Sequence, residues 1–120
     1  MKIKLPQQAL NLLRAHLMQP GWAKTTKEIY LGGKLLAETL PEPDASWVKT
    51  DEQIQAMTTE ERLAYRAADQ AWCTQEVEVE LSDAERDICR KCLEKHSEAG
   101  TFGISKYSFR LFDAFGFKPE

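Results

Sequence analysis

Residues 76–85 of the chain read EVEVELSDAE, and this stretch decides the fold class. Its first half alternates charged and apolar residues with a period of two, which is typical of a β-strand that buries one face. Its second half, from Ser82 to Glu85, has the pattern of a capping box, in which the serine accepts from the third helical amide and the glutamate reaches back to the cap. A strand that passes at once into a helix predicts an architecture of the α+β class.

A second strand is predicted near the N-terminus, where residues 2–5 (KIKL) show the same alternation. Its outward side chains are Lys2 and Lys4, whereas the strand at 76–81 directs three glutamates outward. Opposite charges that face each other across a strand pair contribute about 0.2–1 kcal/mol each, and two glutamate strands would repel each other. We therefore expect one small two-stranded antiparallel sheet, formed by about 2–5 and 76–81.

Four or five α-helices are predicted to pack with this sheet. Each follows a residue that favours a helix start, either an N-cap side chain or a proline with a suitable φ angle. These start signals are Pro6, Thr50, Thr58, Ser82 and Ser105. In the last helix we expect Ile104 to pack against Phe109 as a hydrophobic staple, and Phe117 to fold back on Phe112 after Gly116.

Residues 25–40 allow two interpretations. Thr25 and Glu28 have capping-box spacing, and Ile29, Gly32, Gly33, Leu36 and Leu40 would then form one stripe of a helix. The alternative is a β-hairpin that turns at Gly32-Gly33. We favour the helix because the cap and the stripe agree, and the hairpin stays open.

The chain is predicted to form a single globular domain over residues 1–120, which is an ordinary size for one hydrophobic core. An alternative organisation is two pseudo-repeated strand–helix halves, 1–40 and 76–117, joined by a helical insert. It rests on an offset of 76 residues that aligns Ile3 with Val79 and Leu5 with Leu81.

Composition and charge exclude several classes of protein. The net charge is −3, with an acidic middle of −10 between basic ends of +5 (residues 1–34) and +2 (residues 86–120). Such a chain lacks the broad basic surface expected of a nucleic-acid binder. It also lacks an apolar run long enough to span a membrane. Three cysteines and no secretory signal favour a reducing, cytoplasmic location.

The strongest candidate for chemistry is Cys89, Cys92 and His96, which fall on one face of the helix predicted after Ser82. With Cys73 they could form a tetrahedral zinc site. We favour core packing instead, because the trio lies between Ile88 and Leu93 and free cysteine behaves as a small buried hydrophobe. We therefore expect no cofactor, and we keep a small zinc-binding domain as an alternative.

Catalysis is not expected. His16 and His96 are the only histidines, and no nucleophile turn or phosphate-binding loop occurs in the sequence. The paired acids at 51–52 and 60–61 are interpreted as first-turn residues that favour the helix dipole. Residues 83–115 resemble a helix-turn-helix only superficially, since the last helix offers just Lys106 and Arg110 to a nucleic acid. A nucleic-acid-associated regulator is kept as an alternative function in spite of this small basic content.

The aromatic residues provide the remaining indication. The helix predicted over 59–72 is apolar on two sides, one with Tyr65 and Trp72 and the other with Leu63, Ala67 and Ala71. A helix that is apolar on two sides contacts two layers, either both in one domain or one in a partner. Together with Trp47, which lies in a loop, Tyr65 and Trp72 are our candidate partner-binding residues, because Tyr and Trp are enriched in interfaces.

These observations predict a small soluble interaction or assembly module without catalytic activity, of the kind common among accessory and phage-type mobile-element proteins. Its partner is expected to be a protein or a second copy of the chain.

Overall fold

A computed structural model of the chain describes residues 2–42 and 46–117. It is an α+β structure, as predicted, with a two-stranded antiparallel sheet and six α-helices. In chain order the elements are β1 (Lys2–Pro6), α1 (Gln7–Met18), α2 (Thr26–Lys34), a π-helical segment (Leu35–Thr39), α3 (Asp51–Gln55), α4 (Thr59–Thr74), β2 (Glu76–Glu80), α5 (Asp83–Glu98) and α6 (Lys106–Ala114). No helix within the described ranges is long and apolar enough to cross a membrane.

The sheet has the predicted pairing and charge pattern. In its antiparallel register Lys2 lies opposite Glu80 and Lys4 opposite Glu78, while Ile3 lies opposite Val79 on the buried face. The ammonium of Lys2 also forms an ion pair with Glu78 at 3.6 Å. The opposite charges on the outer face thus favour this pairing over the pairing of either strand with itself.

The hydrophobic core lies between the inner face of the sheet and four helices. α1 and α5 contribute most of it, because both bury a full apolar stripe. The side chains that are completely or almost completely buried include Leu5, Leu10, Leu13, Leu35, Leu81, Cys89, Cys92, Leu93, Leu111 and Phe115.

Residues 26–39 are helical, so the helix interpretation is confirmed and the hairpin is wrong. Thr25 and Glu28 form the capping box in both directions. The predicted stripe is only partly correct, however, because Ile29 is 61% exposed and Gly33 is exposed. The face that is buried instead carries Glu28, Gly32 and Leu35.

The C-terminal segment ends α6 as predicted. Gly116 has a φ of 79°, and the Phe117 amide donates to the Phe112 carbonyl at 2.9 Å. The two rings lie 5.4 Å apart, which is the hydrophobic contact of a Schellman-type cap. The staple at the other end of α6 is wrong, because Ile104 is fully exposed and Phe109 is 66% exposed.

Two strand–helix units, β1–α1 and β2–α5, frame the core. The sheet register places Ile3 directly opposite Val79. These two residues are equivalent in the offset of 76, so a pseudo-two-fold axis would pass between them. Internal duplication nevertheless stays a prediction, and so does the organisation of the whole chain as one domain.

Residues 46–75, which precede the second of these units, form what we call the α3–α4 arm. The molecule is elongated, with extents of 50 × 32 × 28 Å and a radius of gyration of 16.2 Å. A compact domain of this length has a radius of gyration of about 14 Å. None of the sixteen residues of α4 is buried. The arm therefore lies largely outside the core.

Candidate interaction surface

The structure brings the three predicted partner-binding residues together. The ring of Trp47 lies 5.6 Å from Tyr65 and 5.7 Å from Trp72, in tilted arrangements that suit aromatic pairs. The Tyr65 hydroxyl accepts a hydrogen bond from the Lys49 amide at 3.1 Å. All three rings are half-buried, so they hold the segment around Trp47 against α4 and leave part of their surface open.

One donor in this aromatic cluster has no acceptor among the residues that the structure describes. The indole Nε1–H of Trp47 is closed off from solvent and forms no hydrogen bond with the residues at 2–42 and 46–117. A buried donor without an acceptor costs about 1–3 kcal/mol.

The opposite side of α4 is a second apolar surface, which we call the outer α4 face. At 100° per residue its members share an arc of about 120°, which has one charged residue, the exposed Glu60 in the first turn of α4. All are exposed, and Leu63 is 59% exposed. The outer α4 face consists of Leu63, Ala64, Ala67, Gln70, Ala71 and Thr74. The aromatic cluster lies on the other side of the helix, so the domain itself does not cover this face.

An apolar groove of about 230 Å³ lies at the C-terminal end of the outer α4 face. Thr74 belongs to both, because it lines the groove together with Pro6, Tyr107 and Phe109. The Thr74 hydroxyl donates to the Gln70 carbonyl at 2.9 Å, so its polar group is satisfied within the helix. Phe109, which cannot act as a staple, is exposed here. The helix face and the groove therefore form one continuous surface.

Basic residues border this groove. Lys106 lies over the Tyr107 ring at 5.2 Å, and no carboxylate in the described part of the chain forms an ion pair with it. Arg110 is paired with Glu76 at 2.8 Å. Because Arg110 is held by the sheet, α6 presents little free positive charge for a nucleic acid.

The cysteine and histidine face of α5 is part of the core. Cys89, Cys92 and His96 are buried together with Ile88 and Leu93. Burial raises the pKa of the Cys92 thiol to about 12 and raises the pKa of Cys89 as well. Both thiols thus lie in the apolar interior, where free cysteine packs as a small hydrophobe.

Cys73 does not join these residues in a ligand set. It lies on α4, where its sulfur is 3.8 Å from Gln8 and 3.9 Å from Asp69. Among the residues described, no three His, Cys, Asp or Glu side chains are arranged to hold a metal ion. The four residues named for a zinc site therefore do not form one ligand set in the described part of the chain.

The two histidines lie next to each other. Their ring centroids are 4.8 Å apart, and Nε2 of His96 is 2.9 Å from the His16 carbonyl oxygen. Nδ1 of His16 is 2.7 Å from the Leu12 carbonyl oxygen, and the His16 ring stacks on Phe102. A pocket of about 270 Å³ borders them, lined also by Ala15, Gln19 and Thr101. Among the described residues that line it there is no carboxylate, serine or cysteine, and both rings lie within hydrogen-bond distance of backbone carbonyls.

Comparisons with known proteins give no match. Neither a protein-family model nor a curated protein nor a solved structure matches the sequence.

The sequence indicated the outer α4 face only indirectly. Its signal was the second apolar stripe, Leu63, Ala67 and Ala71, which a partner or the domain itself could cover. The groove was not predicted, because Pro6, Thr74 and Phe109 come from three distant parts of the sequence.

Proposed function

We propose that this protein is a non-catalytic interaction or assembly module whose α3–α4 arm binds another protein chain. One observation carries the proposal: α4 has sixteen residues and buries none of them, and one side of the helix exposes Leu63, Ala64, Ala67 and Ala71. Helices in folded proteins gain most of their stability from the packing of an apolar face. An amphipathic helix that leaves one apolar face open is therefore suited to packing against a partner.

The exposed aliphatic and aromatic residues support this function. Leu63 and Phe109 are 59% and 66% exposed and belong to one surface. Single exposed apolar residues are normal, but contiguous exposed apolar surfaces mark sites of association. The first turns of α3 and α4 carry acidic side chains, and such charges favour orientation of a partner with basic groups.

A comparison of two matched variants tests the proposal. Ala67→Arg places a long charged side chain in the middle of the outer α4 face. Ala15→Arg makes the same change at an exposed position of α1, and neither site is buried. We expect both variants to melt within a few degrees of the wild type, because exposed substitutions rarely change stability by more than about 0.5 kcal/mol.

Tagged forms of both variants and of the wild type would be expressed in the organism that encodes this protein. The proteins that copurify with each form would then be quantified by mass spectrometry. We expect the wild type and Ala15→Arg to retain the same chain, either an untagged copy or another protein, and Ala67→Arg to lose most of it. Equal capture by all three baits, or no stoichiometric capture by any, would contradict the proposal.

A further inference from the structure

We propose that the partner of the outer α4 face is a second copy of this chain, in an antiparallel two-fold dimer in which Leu63 of each copy enters the apolar groove of the other. This inference rests on the proposed function and specifies the partner. The same chain carries both halves of the contact: an exposed leucine near the start of α4, and a groove beside its end.

The spacing along α4 fits such a dimer. Leu63 and Thr74 are eleven residues apart, which is about 16 Å along a helix. In an antiparallel pair whose two-fold axis passes between residues 68 and 69, Leu63 of one copy lies opposite Thr74 of the other. Since Thr74 lines the groove, both leucines reach a groove at once. An interface of this kind is isologous and closes on itself.

The side chains at the centre of the face allow close approach of two helices. Ala64, Ala67 and Ala71 are all exposed and carry only a methyl group. A pair of helices can therefore approach with a short interaxial distance, within the usual range of about 8–10 Å. The larger contacts then come from Leu63 and Phe109 at the two ends, where each has an apolar neighbour in the second copy.

Charge also matches between the two ends of the surface. Glu60 is exposed and lies three residues before Leu63, about one turn nearer the start of α4. In the antiparallel arrangement it extends past the second copy's Thr74 toward the start of α6. Lys106 lies there, bordering the groove without an ion-pair partner among the described carboxylates. Two symmetric Glu60–Lys106 contacts would thus favour the antiparallel orientation over a parallel one.

The size of the surface sets the expected affinity. One face of a sixteen-residue helix plus a groove is at the lower limit of, or below, the roughly 800 Å² per partner of a standard interface. Interfaces of standard size range from micromolar to picomolar affinity. We therefore expect a dimer with a dissociation constant in the micromolar range, which dissociates on dilution.

Sedimentation equilibrium of the purified full chain, from micromolar to submillimolar concentrations, tests the inference. We expect a concentration-dependent monomer–dimer equilibrium, and we expect Leu63→Asp to weaken it by at least tenfold. Because Leu63 is mostly exposed, this variant should retain its circular dichroism spectrum and melting temperature. Ala15→Arg is the matched control that should dimerise like the wild type.

A charge exchange gives a readout that a loss of folding cannot produce. Glu60→Lys and Lys106→Glu should each dimerise more weakly, because each homodimer then has two like-charge contacts. Mixing the two variants should restore dimers, since both contacts are opposite in charge in the mixed pair, and the double variant should restore them too. Restoration should weaken at high salt.

A wild type that stays monomeric over the whole concentration range would overturn the inference, as would a dimer that is unaffected by Leu63→Asp and by both charge changes. If the chain is monomeric alone but its Ala67→Arg variant loses a different captured protein, the proposed function stands and the second copy is excluded. If neither self-association nor such capture occurs, both proposals are contradicted.

Discussion

The carboxylate of Glu28 lies 2.5 Å from the ammonium of Lys91, and this ion pair joins α2 to α5. The Glu28 side chain is only 6% exposed, and it also accepts hydrogen bonds from the amides of Lys24 and Thr25. Lys91 is the main reason why the pKa of Glu28 falls to about 2, and these amides add to the effect. Burial opposes the shift without cancelling it.

This pair predicts a specific loss of stability in acid. A carboxyl group with a lowered pKa stabilises the folded state above its unfolded pKa, and this contribution is lost as pH falls toward the folded value. For Glu28 the window runs from about pH 5 to about pH 2. We expect Glu28→Gln to show a smaller decrease in the free energy of unfolding across this window, as measured by urea denaturation at successive pH values.

Glu98→Gln is the control for the acid prediction. Glu98 is 61% exposed and lies 4.0 Å from Lys95, so its ion pair contributes little. Its pH profile should parallel that of the wild type. If Glu28→Gln also parallels the wild type, the Glu28–Lys91 pair does not have the role assigned to it.

The adjacent glycines of α2 should respond in opposite directions to alanine. A Cβ at Gly32 would lie 3.0 Å from Cζ2 of Trp22, whose indole is buried and donates to the Leu17 carbonyl at 3.0 Å. A Cβ at Gly33 would meet nothing within 4 Å.

Gly33→Ala should therefore raise the free energy of unfolding by about 0.5–1 kcal/mol, the usual gain in a helix. Gly32→Ala gains the same propensity but must displace Trp22, and overpacking costs about 1–3 kcal/mol. We expect a net loss of up to about 2 kcal/mol in chemical denaturation. A stabilising Gly32→Ala variant would show that Trp22 is not held in place.

The three cysteines should differ in reactivity toward a disulfide reagent such as DTNB. Cys89 and Cys92 are fully buried, and burial raises the pKa of both thiols, so both need an opening of the core before they react. Cys73 is half-buried and reachable, although burial and the neighbouring Asp69 raise the pKa of its thiol.

In the native protein we expect one thiol per chain to react, slowly, and all three to react in denaturant. A Cys73→Ser variant should lose the reaction seen in the native protein, and its two buried thiols should react only when the core opens. Rapid labelling of two or three thiols in the folded protein would mean that the α5 face is open and not part of the core.

Arg14 should stabilise the folded state, because its side chain binds carbonyl groups in and just after the π-helical segment. One of its guanidinium nitrogens, Nη1, donates to the carbonyls of Leu36 and Leu40, at 3.2 and 3.0 Å. Hydrogen bonds to charged groups contribute about 1.5–3 kcal/mol. We expect Arg14→Met to lower the free energy of unfolding by about that amount. The same change at the exposed Arg66 should have little effect, and equal effects at both sites would contradict the role of Arg14.

Local sequence signals predicted the secondary structure well. The four capping boxes, opened by Thr25, Thr50, Thr58 and Ser82, are all formed with both of their hydrogen bonds. Such signals act within four residues, so they need no knowledge of the rest of the chain. The sheet was also predictable, because the charges of its two strands are complementary only when they pair with each other.

Signals that depend on tertiary packing were less reliable. The stripe predicted in residues 25–40 placed Ile29 and Gly33 on the buried face, whereas α2 buries Glu28 and Gly32, each one position earlier, and Gly32 lies against Trp22. α5 packs against α2, and its Lys91 forms an ion pair with the buried Glu28. Likewise, the staple failed because Phe109 borders the groove at α4 and Pro6, which local spacing does not reveal.

For the candidate site, the sequence predicted which residues are apolar but not which neighbours cover them. Trp47, Tyr65 and Trp72 do come together, as three candidate residues from two segments. The stripe with Leu63 and Ala67 was visible as well. Only the folded chain shows that its own core leaves this stripe exposed.

The most direct test of the central claim, that the outer α4 face binds another protein chain, is site-specific photo-crosslinking in cells. A photo-reactive phenylalanine analogue at position 67 should give one defined adduct, and the same analogue at position 15 should not. An adduct with another copy of this chain, or with one other protein, at position 67 alone is the predicted result. No adduct at position 67, or the same adducts at both positions, would contradict the claim.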